Sequence, residues 1–447
     1  MKNLLIYSNF NKLLTFAAAT EMADSVKNIL KTHIVRNVGK LFSANLIAQA
    51  IGLLIYPVLT RIYSQADFGL FNVFMSIAGV LIIFSTGQYQ HAIPLPKEDK
   101  RALDIFNTGF LLLLLTTLLT VLLLPAFCRL QPLLNAEGLE RYVWLLPVLV
   151  FANGLWTMLN NWFIRKERFT HISVYQVCQN SLSAIGRWIL GVLKVTGGLI
   201  YGAVLAPCIS LAGMFPASRK TGIRILRNCS KKDILSAAKE YSAFPKYQLP
   251  RALVNLLNTS MAIWFISPAF GLETVGYWGM AFLLALTPIQ TITDSLYQVL
   301  FQYNAKRCQD NLPLLPSYRK FIFIALATVT PLFIGLYFCL PAVVRLLLGN
   351  NWGETAHIIR YLLPWILMIC LAAPWNFTPN LFNKQNYGLI FEIAYLVSRL
   401  LVCIIGVVTN DFRILLLGYS LTGVVIIGAQ TVWYYTLFRQ HDKTATK

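Results

Sequence analysis

The sequence predicts an all-α integral membrane protein of about twelve transmembrane helices, and three observations predict it. Twelve apolar stretches, each near the length a helix needs to cross a bilayer at about 1.5 Å per residue, divide the 447 residues. Hydrophobic residues make up 57% of the chain and charged residues 13%, against roughly 25% charged in a soluble domain. The loops between stretches alternate between crowded with Lys and Arg and nearly bare of them. A formal net charge of +20 could belong to a nucleic-acid binder. Its alternation along the chain assigns it to one side of a membrane instead, and no nucleic-acid partner is expected.

In order, the spans fall near 38–60, 69–90, 106–128, 141–162, 173–195 and 197–216, then near 247–268, 275–300, 320–341, 358–379, 386–408 and 412–437. Only Thr196, Gly197 and Gly198 separate the fifth from the sixth. An even number of crossings returns both ends to one side. Of the 38 Lys and Arg, 28 then lie on the side of the termini and 7 on the other, and the remaining 3 are Arg187, Arg251 and Arg399 inside spans. Short loops rich in positive charge stay cytoplasmic, so both termini are expected in the cytoplasm.

Five regions follow: a cytoplasmic N-terminal segment 1–37, a first lobe 38–218, a basic linker 219–246, a second lobe 247–437 and a cytoplasmic tail 438–447. The N-terminal segment joins an apolar run, Leu14 to Ala19, to a cluster of lysines. Signal cleavage after the alanines would leave Lys27, Lys31, Arg36 and Lys40 outside, against the charge rule. The segment reads instead as an interfacial helix or as residues ahead of a start at Met22. The linker separates two groups of six spans, and a weak repeat relates them. Asp67-Phe68-Gly69-Leu70-Phe71 enters the second span as Thr274-Val275-Gly276-Tyr277-Trp278 enters the eighth. Paired bundles around a midplane cavity are a common transporter plan.

The eight cysteines are scattered, with no CxxC and no ligand spacing to the five histidines. They read as packing residues, and neither a metal nor a cofactor is expected. No GxxxxGK[ST] is present, which argues against an ATP-driven machine.

Polar residues inside the spans are costly in a bilayer and mark candidate sites. Gln176, Asn180, Ser183 and Arg187 share one face of the fifth span, spaced i, i+4, i+7 and i+11. Gln248, Arg251, Asn255 and Asn258 do the same in the seventh. Thr287, Gln290, Asp294 and Gln298 follow in the eighth, Glu392 and Arg399 lie seven apart in the eleventh, and the first span adds Asn45 and Gln49. Counted by residue rise, Arg187 and Arg399 fall near mid-membrane, and Arg251 and Asp294 approach the same surface. The expected pairs are therefore Arg251 with Asp294 and Arg399 with Glu392, either acid being also a candidate to carry a coupling proton. Three arginines against two acids leave a central cationic cavity. Guanidinium grips phosphate bidentately while amides bond hydroxyls, so the cavity suits an anionic, sugar-rich ligand.

The run from Leu53 to Phe71, with Pro57, Thr60-Arg61 and Asp67-Phe68-Gly69, resembles the first hairpin of bacterial Wzx-type polysaccharide transporters. These O-antigen and oligosaccharide flippases belong to the multidrug/oligosaccharidyl-lipid/polysaccharide exporter superfamily. Gln88 to Lys97, with Leu95-Pro96-Lys97, resembles the end of their second span. The likeness is clear over the first hundred residues and continues as span count and layout. It implies two six-helix lobes in a V and a place in a bacterial inner membrane. It further implies the turning of a polyprenyl-diphosphate-linked oligosaccharide from the cytoplasmic to the periplasmic leaflet during surface polysaccharide synthesis. The partners implied are that lipid-linked glycan, membrane lipids, and the polysaccharide polymerase and glycosyltransferases of the pathway. The alternatives are a multidrug-type exporter of the same superfamily and a membrane glycosyltransferase or polymerase. The enzyme reading is disfavoured by short outward loops, the longest near 129–140 and 342–357.

Overall fold

The computed structural model describes residues 49–223 and 230–445. The segment 1–37, Asn45, Arg224 and Arg227 lie outside the described residues. Among those described, nine helical stretches are long and apolar enough to cross a membrane. One of them, Phe244–Gln309, runs for 66 residues, about 99 Å if straight, and is two crossings folded at Gly271, whose φ of 83° breaks the helix. Phe169–Val192 has the length, but its polar stripe keeps its hydropathy down. Gln49–Leu59 is a shorter apolar helix. Twelve helices result.

They are α1 (Gln49–Leu59), α2 (Gln65–Ser85), α3 (Asp99–Leu122), α4 (Leu146–Arg165), α5 (Phe169–Val192), α6 (Gly198–Lys220), α7 (249–270), α8 (272–309), α9 (Leu315–Leu348), α10 (Gly353–Ala372), α11 (Gln385–Val408) and α12 (Phe412–Ala445). Local chemistry fixes their ends. Ser64 and Asp67 close a capping box at the start of α2, and Pro147, Pro250 and Pro316 stand in the first turns of α4, α7 and α9. Helices α4, α5, α8 and α11 end alike, with Glu167, Lys194, Asn311 and Asn410 in the left-handed region. In each, the next N–H reaches back five residues, as Val195 does to the Leu190 carbonyl at 2.9 Å.

The two halves repeat one packing plan. Helix α3 lies on α4, α4 on α6 and α5 on α6, as α9 lies on α10, α10 on α12 and α11 on α12. Helix α9 is apolar all round and leaves Phe323, Leu332, Phe338 and Leu346 exposed, as a helix set against lipid should. The expected linker is more than a tether. It holds a helix, Lys231–Glu240, docked on the first lobe through the buried Ala237 and an Arg101–Glu240 ion pair.

Candidate functional site

The loops rich in Lys and Arg define a basic face, and the lobes meet differently there and on the opposite face. On the opposite face α2 and α8 cross in van der Waals contact. A Cβ on Gly69 would stand 1.9 Å from the Leu272 carbonyl oxygen, and one on Gly276 would stand 2.1 Å from that of Gln65. Each glycine thus meets the carbonyl four residues before the other, so the faint sequence repeat is a local two-fold axis. Trp352 plugs the crossing: its indole N–H donates to the Thr60 carbonyl at 3.3 Å, and its ring packs edge-on against Phe68 and Tyr277. The Gln65 amide and the Tyr277 hydroxyl both donate to the Asn351 carbonyl. Deeper, the Ser267 hydroxyl donates to the Leu134 carbonyl and the Trp264 indole to Ser76.

Toward the basic face the lobes part around a cleft of about 550 Å³. Gln88 and His91 line it from the first half, and Gln248, Arg251, Asn255 and Thr259 from the second. The first wall is held by an unusual turn. Gly87 and Gln88 both have positive φ, 56° and 62°, which costs a non-glycine residue like Gln88 conformational energy. A buried network repays it: Thr86 donates to the Gln90 carboxamide oxygen at 2.5 Å, Gln90 to that of Gln88 at 3.3 Å, and Gln88 to the Ile83 carbonyl at 3.1 Å. Downstream, Arg165 donates to the carbonyls of Pro96 and Lys97 and pairs with Asp99. His91 faces the cleft with an exposed ring.

The three arginines do not converge. Arg251 alone lines the cleft; it is half exposed and pairs with Glu392 at 3.5 Å. Asp294, its expected partner, is exposed and pairs with no cation among the described residues, because α7 turns Arg251 toward α11 rather than α8. The expected Arg399–Glu392 pair fails for a simpler reason: seven helical residues separate side chains by about 10 Å of rise. Arg399 is 1% exposed, its guanidinium stacked on Tyr419 (3.7 Å), Tyr395 (4.0 Å) and Trp365 (4.6 Å). It donates to the Asn258 carbonyl and the Tyr419 hydroxyl, its Nε and Nη2 have no partner, and no carboxylate neutralises it among the described residues. Asn258 also donates to the Glu392 carbonyl at 3.4 Å, so it braces the second lobe, while Asn255 faces the cleft.

In the first lobe the α5 stripe points at α1. Asn180 lies over Gly52 and Arg187 reaches the Tyr56 hydroxyl at 3.5 Å while stacking on Phe71. Gln176 accepts through its backbone from Asn180, and its own amide oxygen is buried without a partner. Arg187 has no acid partner among the described residues, and it sits five residues, about 7.5 Å, from the end of α5 rather than at its middle. Gln49 bridges the lobes by accepting from Thr291 of α8. Sequence reasoning missed Gln88 and His91 as cleft residues. Their signal was the Gly87-Gln88 turn ending the second span inside a polar run.

Helices, lobes and cleft define a multi-pass membrane protein of two helical lobes. A family model described as polysaccharide biosynthesis protein matches residues 58–357, two thirds of the chain, which therefore belongs to that family. No curated protein matches the sequence significantly. Among solved structures, an inward-facing multidrug resistance MATE family transporter of the MOP superfamily is similar with a TM-score of 0.66 at 18% identity, over 90% of this chain and 96% of its own. An outward-facing MATE structure gives 0.60 at 17%, over 92% and 96%. A MOP superfamily transporter from Pyrococcus furiosus, described as having a binding pocket of reversed polarity, gives 0.58 at 16%, over 92% and 96%. These relatives have the same fold, with twelve helices in two lobes.

Proposed function

We propose that this chain is a flippase that carries a polyprenyl-diphosphate-linked oligosaccharide from the cytoplasmic to the periplasmic leaflet by alternating access. The observation that carries the reading is the polar cleft with Arg251 at its mouth, open toward the basic face of a molecule sealed on the opposite one. With the basic face in the cytoplasm, as loop charge dictates, this is the state that receives cargo. A diphosphate leaving the headgroup layer meets Arg251 first and displaces Glu392 from it. Gln248, Asn255, Thr259 and Gln88 supply donors and acceptors for sugar hydroxyls. The prenyl tail stays in lipid. Parting of the α2–α8 crossing and closure of the cleft then expose the cargo to the other side.

Family membership supports a polysaccharide precursor as cargo. The arginine at the cleft mouth argues against the organic cations a multidrug exporter takes. The test is complementation of a strain lacking its own lipid-linked oligosaccharide flippase, with transport of a fluorescent polyprenyl-diphosphate glycan by the purified protein in liposomes. Restored surface glycan and protein-dependent translocation are expected. Translocation of organic cations instead, with no rescue, would sink the proposal.

A further inference from the structure

We infer that the outward side of the linker helix Lys231–Glu240 is a docking surface for anionic phospholipid headgroups. Four contacts fix how this helix sits. The Tyr89 hydroxyl donates to the Ala238 carbonyl at 2.8 Å, Thr108 donates to the Ile234 carbonyl at 3.3 Å, and Arg101 holds both Ser236 and Glu240. Arg101 and Thr108 belong to the first three turns of α3, whose range begins at Asp99, so the docked helix lies within about 15 Å of the basic end of a membrane-crossing helix. The basic end of such a helix is where the membrane meets water.

The opposite side of the helix presents Lys231, Lys232, Leu235 and Lys239, all exposed, with Leu235 at 72%. A leucine standing clear among lysines gains nothing from water. In the interface its side chain reaches the acyl boundary while the lysine stems extend along it and place their ammonium groups at the phosphates. Charge selects the lipid. Lys231, Lys232 and Lys239 share that exposed side with no acid among them, and the acid at the helix end, Glu240, is taken by Arg101. A zwitterionic headgroup leaves these cations uncompensated; an anionic one neutralises them.

The inference is independent of the cargo, and full-length protein in lipid nanodiscs tests it. In phosphatidylcholine containing phosphatidylglycerol, native mass spectrometry should show phosphatidylglycerol retained on the protein. Combined Lys231→Gln, Lys232→Gln and Lys239→Gln should cut that retention by about tenfold or more, leave phosphatidylcholine retention unchanged, and abolish the salt sensitivity of the difference. Leu235→Trp, read as a difference from the parent protein, should be quenched by brominated lipid and shielded from iodide. Equal phosphatidylglycerol retention by the triple variant, or an iodide-quenched Trp at 235, overturns the inference. So does a farnesyl diphosphate arm in which the triple variant loses that ligand as strongly as phosphatidylglycerol, because the surface would then belong to the path of the cargo.

Discussion

Where the lobes meet on the face opposite the basic loops, the contact is main chain against main chain at Gly69 and Gly276, plugged by Trp352. Where they face each other on the basic side, they offer amides, a histidine and an arginine across open space. The first kind of contact is all or none, because a glycine crossing admits no intermediate spacing without losing its packing. The second is graded: an ion pair between half-exposed groups is worth little in itself and exchanges readily for another anion. On the proposed alternating-access reading, the first end would act as the switch and the second as the receptor.

Mutations can break either end of that comparison. The largest effect should come from Gly69→Ala or Gly276→Ala. Each adds a Cβ well inside van der Waals contact of a carbonyl oxygen, an overpacking cost of about 1–3 kcal/mol, enough to move a two-state equilibrium by about tenfold or more. Labelling of a cysteine placed at Asn351 with an impermeant maleimide should rise while labelling at Asn255 falls; unchanged labelling at both sites would show the crossing to be passive. Next, Arg251→Gln should weaken pyrophosphate binding to the purified protein by about tenfold without lowering its thermal stability, since the side chain is half exposed. Glu392→Gln should act in the other direction and tighten pyrophosphate binding several-fold by removing the anion that competes for Arg251. Weaker binding in calorimetry would instead mean that Glu392 orients the arginine.

The smallest effect concerns the linker helix. Arg101 holds the Glu240 carboxyl below the usual glutamate range. A depressed carboxylate stabilises the docked state above its unfolded pKa and loses that contribution as pH falls through the lowered folded value. Hydrogen-exchange protection over 231–240, taken relative to the intrinsic rate, should therefore fall on acidification in the parent protein and show no such step in Glu240→Gln.

The sequence is most legible where packing and membrane length set its pattern. The hairpin from Tyr56 to Phe71 carries a recognisable motif because nearly every residue in it builds the seam. Ser64 and Asp67 cap α2, Phe68 packs on Trp352, Gly69 admits α8, and the Thr60 carbonyl takes the indole N–H. The Leu95-Pro96-Lys97 motif is a collar of carbonyls around Arg165. Of the residues in the runs 53–71 and 88–97 that carry these motifs, only Gln88 and His91 line the cleft. The stripe on α7 was legible as polar, but not its division of labour: Arg251 and Asn255 face the cleft while Asn258 faces Arg399. Spacing along one helix says which residues share a side, and neighbouring helices decide what that side meets. Arg399 shows the limit most plainly, since its compensation comes from three aromatic rings on α10, α11 and α12 that no charge count anticipates.

The crossing of α2 and α8 has one more consequence. Because each glycine abuts a peptide carbonyl, the side chains at 65 and 272 contribute nothing to that abutment. Drift at 272 leaves that abutment intact so long as two hydrogens persist where a methyl would intrude, whereas Gln65 is also held by its amide bond to the Asn351 carbonyl. On the proposed function, substrate preference would accordingly diversify at the amide-rich end of the protein while the glycine crossing stays mechanically the same.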